Sequence, residues 1–275
     1  MQRIRRGKTP APPLNALAAD ASLQDEQYAD SIYAKHYLAL IQVGEDQFAL
    51  VWASKKNLNK LGAHTKLIMC DGTFKTAPCC SDNSHFYQVL ILHAKYRTNV
   101  LPFMMAVMTG KSRLLYDGVL LKLKEYLPDT GLKFTLLLTA SCQSCFDFAH
   151  VAVAPEKVMS DYEQALQGAL ANIFPGALIL GCWFHYSQAV FKHMMSNELA
   201  ICFKESESFG VWLQLVMALP LLPTNRIEEG WSALKIYPVD VPHGYKGKFK
   251  VIRISLVFTA SCELIVTSTE VSEVC

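Results

Sequence analysis

The sequence predicts an α/β domain, a mixed β-sheet flanked by helices. Three observations predict it. Apolar runs of strand length recur at 66–71, 86–93, 100–108, 157–161 and 177–181. Apolar residues at three- and four-residue steps follow the third, fourth and fifth of these runs, which is helical periodicity. The resulting order, β-β-β-α-β-α-β-α, belongs to a sheet whose later strands are reached by helical crossovers. Composition agrees: of 275 residues 51% are hydrophobic and 18% charged, which allows a sizeable core and excludes a disordered, highly charged chain.

Residues 1–60 read as an N-terminal tail and a short pre-core segment. The start is basic (Arg3, Arg5, Arg6, Lys8), but Thr9-Pro10-Ala-Pro-Pro13 follows instead of an apolar leader region. Tyr37–Val43 and Phe48–Trp52 have strand character. The apolar stretch Val211–Leu222 carries Gln214 and Pro220 and falls short of the roughly 20 residues of a membrane span. The expectation is a soluble, intracellular chain with no membrane partner. Its nine cysteines show no regular framework and read as reduced, mostly buried thiols. A net charge of +2 neither demands nor excludes a nucleic-acid partner.

The core is expected over 61–200. Lys66–Asp71, Phe86–His93 and Val100–Met108, joined by polar loops, predict an antiparallel meander. Leu114, Leu115, Val119, Leu120, Leu123 and Leu127 predict a helix, capped by Ser112 and closed by Pro128. A strand at Lys157–Asp161 precedes a helix marked by Ala165, Leu166, Ala169, Leu170 and Ile173. A strand at Ala177–Gly181 precedes a helix from His185 to Met195. Residues 130–154 are an atypical insertion, since crossover loops normally run two to six residues. This insertion shares Thr-Ala-Ser-Cys (Thr139–Cys142) with the end of the chain (Thr259–Cys262). Residues 201–236 read as a partial helical insertion and 237–275 as an irregular, Val/Ser/Thr-rich tail.

Two acids end core strands, Asp71 in Cys70-Asp-Gly-Thr-Phe74 and Asp161 in Met159-Ser-Asp-Tyr-Glu163. Carboxylates on adjacent strand ends can hold Mg²⁺ for phosphoryl transfer. The alternative makes Asp71 a turn residue before Gly72 and Asp161 a helix N-cap, with Glu163 in the first turn. Cys182-Trp-Phe-His185 is a Cys-x-x-His pair and can be half of a zinc site, with Cys142, Cys145 and His150 as imaginable partners. Packing and hydrogen bonding within the core is the other account of that pair. Thr109-Gly-Lys-Ser112 is not a P-loop, because the position of its first glycine holds Met105. No Gly-x-Ser-x-Gly nucleophile motif occurs. Lys55, Lys56, Lys60 and Lys66 with His64 form a modest basic cluster, and His185, Lys192 and His193 a weaker one. Either can touch phosphates, and either can be a solvated face.

Taken in order, several stretches resemble the Mutator-like element (MULE) transposases. They are Cys70-Asp-Gly-Thr-Phe-Lys-Thr-Ala-Pro78, Phe86-Tyr-Gln-Val-Leu90, Pro102-Phe-Met-Met-Ala-Val-Met-Thr-Gly-Lys111, Pro155-Glu-Lys-Val-Met-Ser-Asp-Tyr-Glu163 and Gly181-Cys-Trp-Phe-His-Tyr-Ser-Gln188. The resemblance covers about half of the chain, from Leu61 to Met195. It implies an RNase H-like core, with Asp71 and Asp161 as the first two acids of a DDE metal triad and Cys182 and His185 as the family's Cys-x-x-His signature. It implies Mg²⁺ (or Mn²⁺ in its place), in-line attack by water and then by a DNA 3′-hydroxyl, and a nuclear location. The implied partner is DNA, both transposon ends and target, with a homo-oligomer as a further option. Leu222–Trp231 resembles sequence within the family's helical insertion, which puts the third acid still further on. Glu205, Glu207, Glu228 and Glu229 are available, with Glu228 or Glu229 as a substitute third acid. The family's zinc-binding DNA-recognition module has no counterpart here, and 130–154 and 237–275 depart from the family as retained intron sequence would. A domesticated, non-catalytic DNA- or protein-binding derivative is the alternative.

Overall fold

The structure is a computed structural model. It describes residues 13–54, 56–58, 65–74, 77–78, 86–126 and 155–252. The insertion at 130–154, with Cys142, Cys145 and His150, lies outside the described residues. So do Pro128, the repeat at 259–262, and Lys55, Lys60 and His64 of the basic cluster.

The fold is α/β, built on a seven-stranded mixed sheet flanked by helices. The strands are β1 (Tyr37–Val43), β2 (Gln47–Ala53), β3 (Leu67–Thr73), β4 (Gln88–Tyr96), β5 (Asn99–Met108), β6 (Lys157–Ser160) and β7 (Leu178–Gly181). Their order across the sheet is β1-β2-β5-β4-β3-β6-β7. The chain divides into two compact units: Met1–Val158 with Glu163–Leu178, and Met159–Tyr162 with Ile179–Cys275.

In the first unit β3, β4 and β5 form the expected antiparallel meander, with Asp71 opposite Ile91 and Leu90 opposite Ala106. The stretch set apart as a pre-core segment supplies two sheet strands: β1 pairs with β2, and β2 continues the sheet antiparallel to β5, Ala49 opposite Met108. Strand periodicity explains the register. Every second residue faces one side, and on that side Ala49, Val51, Ala53, Ile68, Cys70, Leu90, Leu92, Ala94, Met104, Ala106 and Met108 are all buried. Helices α3 (Arg113–Tyr126) and α4 (Gln164–Ile173) belong to this unit and pack on each other, with α3 running across β1 and β2. Leu115, Val119, Leu120 and Leu123 recur at helical spacing and are fully buried. Ser112 caps α3 as expected, its Oγ accepting from the Leu115 N–H at 3.3 Å. The opposite sheet face carries a second cluster, in which Leu50, Val89 and Val107 meet Ala16 and Ala19 of α1 (Ala16–Gln24). A short helix α2 (Ile32–His36) leads into β1.

The second unit is mainly helical. After β7 come α5 (Trp183–Ser196), α6 (Ala200–Glu205), α7 (Glu207–Ala218) and α8 (Ile227–Ile236), with a last described helix, α9, at 246–252. The α5 helix starts two residues earlier than the sequence predicts, because Cys182 occupies the N-cap. Its aromatic hydrogen bonds tie it to the end of α7: Trp183 Nε1 donates to the Met217 carbonyl at 2.7 Å and Tyr186 Oη to that of Val216 at 3.1 Å. Phe209, Trp212 and Phe249 form an aromatic trio with centroid separations of 6.0, 5.6 and 5.1 Å. Each such pair adds about 0.5–1.5 kcal/mol beyond burial. Within the expected irregular tail, the described residues 237–252 depart from that reading: Val241, Phe249 and Ile252 are buried in this core, and 253–275 lie outside the described residues. The physical reason is that three apolar anchors suffice where an existing core receives them, whereas Gly244, Gly247 and the lysines hide the helical pattern in the sequence.

Candidate functional site

Asp71 lies within β3 rather than at its end, because the strand continues to Thr73. It faces the same side as its partner Ile91 and as His93, the partner of Met69. Asp71 is exposed and His93 half-buried. Burial pushes the His93 imidazole below its ordinary range, and the Asp71 carboxylate partly opposes this.

Asp161 directly follows β6 and is half-buried. The account of Asp161 as a helix cap is corrected. The N-cap of α4 is Glu163, whose extended backbone starts the helix through the Gln167 N–H, bonded to the Glu163 carbonyl at 2.9 Å. The Glu163 side chain makes no capping bond and instead accepts from the buried Tyr116 hydroxyl at 3.3 Å. Tyr116 in turn accepts from Gln88 Nε2 at 2.7 Å. Sequence reasoning missed Gln88 and Tyr116. The one available signal was a glutamine inside an apolar strand.

Cys182 and His185 sit three residues apart at the start of α5, on one helix face. The Cys182 N–H donates to the Ser160 carbonyl at 2.7 Å, which ties this helix start to the end of β6, next to Asp161. Beside them a Cβ on Gly181 would meet the Tyr162 ring at 2.4 Å, so only glycine fits under that ring. Glu228 and Glu229 are exposed in the first turn of α8. Glu229 is engaged by Arg226 at 2.5 Å, and this hydrogen-bonded pair holds its carboxyl below the usual range. Glu205 and Glu207 flank the α6–α7 junction. Among the described residues no three His, Cys, Asp or Glu side chains form a group able to hold a metal ion.

The Thr109–Ser112 turn serves the fold. Thr109 Oγ1 accepts from the Phe48 N–H at 2.8 Å, and Ser112 Oγ bonds the Gln47 side chain. Of the basic cluster, Lys56 is exposed and Lys66 pairs with Glu156 at 3.0 Å. Such exposed pairs contribute little to stability. No described helix is long and apolar enough to cross a membrane. No protein-family model matches the chain, and no curated protein matches it.

Proposed function

We propose that the chain is the core of a Mutator-like DDE transposase, an RNase H-like domain for Mg²⁺-dependent cleavage and strand transfer of transposon DNA. The observation that carries this is the strand order. β3, which bears Asp71, neighbours β6, which Asp161 follows directly. The run β5-β4-β3-β6-β7 is a meander followed by two strands, the second reached through α4, and it is compatible with the RNase H-like class.

Asp71 and Asp161 offer hard carboxylate oxygens, the donor type Mg²⁺ takes, and that ion is usually held by one or two carboxylates plus substrate phosphates. The donor set therefore fits. A cation held by either carboxylate together with substrate phosphates would supply charge stabilisation for the attacking and leaving oxygens of a phosphodiester. The chain's own contribution is positional: Asp71 stands exposed on a strand paired along its length, and the Cys182 N–H anchors the strand end before Asp161.

The test is cleavage of labelled duplex DNA carrying transposon ends. The expected result is cutting that requires Mg²⁺ or Mn²⁺ and is lost in Asp71→Asn and in Asp161→Asn. DNA binding indifferent to Mg²⁺ and to both substitutions, without cutting, replaces this proposal with the non-catalytic binding protein.

A further inference from the structure

Two exposed aromatic rings and an unneutralised cation meet at one end of the sheet in the first unit. Phe74 directly follows β3 and is 46% exposed; Tyr87 directly precedes β4 and is 45% exposed. Their ring centroids lie 5.3 Å apart in an edge-to-face arrangement. Lys111 Nζ stands over the Tyr87 ring, 5.8 Å from its centroid, and makes no ion pair among the described residues. The backbone under this group is tied to the sheet. The Tyr87 N–H donates to the Met108 carbonyl at 2.7 Å, and the Thr109 N–H, two residues before Lys111, donates to the Phe48 carbonyl at 2.9 Å.

A single exposed apolar side chain needs no explanation, but here two rings stand side by side outside a core that takes up the adjacent Phe86. An edge-to-face pair leaves at least one face of Phe74 uncovered by Tyr87. A free ring face beside a lysine suits an unpaired base and its phosphate: the base stacks on the ring, and the ammonium meets the backbone charge. The electrostatics agree. The 14-residue α3 starts just after Lys111, with Ser112 as its cap and no acid in its first turn, so its positive end adds to the lysine. Glu45 and Asp46, exposed at the same sheet end, belong to the β1–β2 turn, which the strand order puts on the far side of β5 from Tyr87 and Phe74. Asp71, three residues before Phe74, is separated from it by about 10 Å of extended backbone. A duplex keeps its base faces within its own stack and cannot use such a ring.

We infer that Phe74, Tyr87 and Lys111 form a binding platform for single-stranded nucleic acid, with a base stacked on Phe74 and a backbone phosphate at Lys111. All three residues lie in one compact unit. The platform needs no metal ion and does not depend on the cleavage proposed above. Removing a stacking ring weakens such binding about 5–150-fold, and each phosphate contact adds about 0.7 to the slope of log affinity against log salt.

The experiment uses the whole chain, with a metal chelator present, and a fluorescein-labelled oligothymidylate of about 12 nucleotides. Binding is read by fluorescence anisotropy, and circular dichroism checks that each variant is folded. Phe74→Leu keeps an apolar side chain and removes the ring. It is expected to weaken binding about tenfold, whereas Phe74→Tyr keeps a ring and is expected to bind as wild type does. Lys111→Gln is expected to lower the salt slope by about 0.7. Tyr96→Leu removes the ring under Arg97 at the other end of the sheet and is expected to change nothing. Duplex DNA of the same length is expected to bind more weakly and without response to Phe74→Leu. Wild-type protein that does not bind the oligothymidylate overturns the platform. Phe74→Leu protein with wild-type affinity overturns it too, as does a loss that Tyr96→Leu reproduces. The expected pattern in a chain that cannot cut DNA supports the platform and counts only against the cleavage.

Discussion

Replacing Gly72 by alanine probes the seat of the buried Gln88 amide. On β3 this position shares a side with Ile68 and Cys70, and it stands opposite Leu90. A methyl group there would lie 2.9 Å from Gln88 Oε1 and 3.8 Å from its Cδ. A glutamine at the surface would swing away at little cost. Gln88 is 1% exposed, and its Nε2 is held by Tyr116 at 2.7 Å. The same Nε2 also reaches Met108 Sδ and the Gly110 carbonyl, each at 3.5 Å, so relief means either turning the amide away from all three acceptors or displacing a paired strand. Leaving a buried donor unmatched costs about 1–3 kcal/mol, and overpacking costs a similar amount. Against this stands a gain of about 0.4–1 kcal/mol from the less flexible unfolded chain. The expected net effect is a loss of about 1–2 kcal/mol, measured by urea unfolding with far-UV circular dichroism. The matching double-mutant cycle uses Gln88→Ala, which removes the amide. In that background Gly72→Ala is expected to cost at least about 1 kcal/mol less, because contacting residues couple by roughly 0.5–3 kcal/mol. Gly72→Ala protein as stable as wild type would refute the reasoning, and so would additivity of the two substitutions.

Three further outcomes are expected. The His93 imidazole, lowered by burial, is neutral in the folded chain where the unfolded chain still binds a proton. Its contribution to stability is therefore complete above about pH 6.5 and is lost as the pH falls from there through the folded value. In a nuclear magnetic resonance titration Asp71→Asn lowers the His93 pKa further, and Mg²⁺ bound at Asp71 does the same; no response to Mg²⁺ at millimolar concentration counts against the cation site. Phe249→Ala removes one ring of the aromatic trio and costs about 3–5 kcal/mol, whereas loss of less than about 1 kcal/mol in urea unfolding shows that 246–252 is peripheral. Cys182→Ser supplies the capping oxygen that the Cys182 side chain does not provide and raises stability by about 0.5–1 kcal/mol; a marked fall would show that the thiol has a role of its own, such as a ligand.

The strands were legible because alternation leaves a direct mark. On β4, Leu90, Leu92 and Ala94 are buried and share one face, and they make the strand recognisable without knowledge of its partners. Sheet membership of β1 and β2 was harder to read, since β2 pairs with β5, whose residues lie more than 50 positions away in the chain. The bond between Gln88 and Tyr116 was invisible for the same reason. Gln88 lies unremarked within the apolar run 86–93, because the phenol that bonds it belongs to a helix 28 residues later. The acids Asp71 and Asp161 stood out by chemistry and position. The cap of α4 did not, because Asp161 and Glu163 are both acceptable near a helix start and only the backbone decides between them. In 237–252, Val241, Phe249 and Ile252 are too sparse to announce a helix, and their burial depends on a core assembled from α5, α7 and α8.

The strand order also bears on how this chain acquires its structure during synthesis. β1 through β5 are joined by antiparallel pairings of β1 with β2, β2 with β5, β5 with β4 and β4 with β3. All of these strands are complete by residue 108. The strand that covers the remaining side of β3 begins only at residue 157. Domains emerge from the ribosome at about 5–20 residues per second, so that side of β3 waits several seconds for its neighbour. An unpaired strand edge is a template for another chain. The polar Lys66 and the charged Asp71 bracket the apolar Leu67–Cys70 on that strand. Charges in such flanking positions are of the kind that disfavours pairing with another chain while an edge is open, which concerns the nascent chain and not the finished fold.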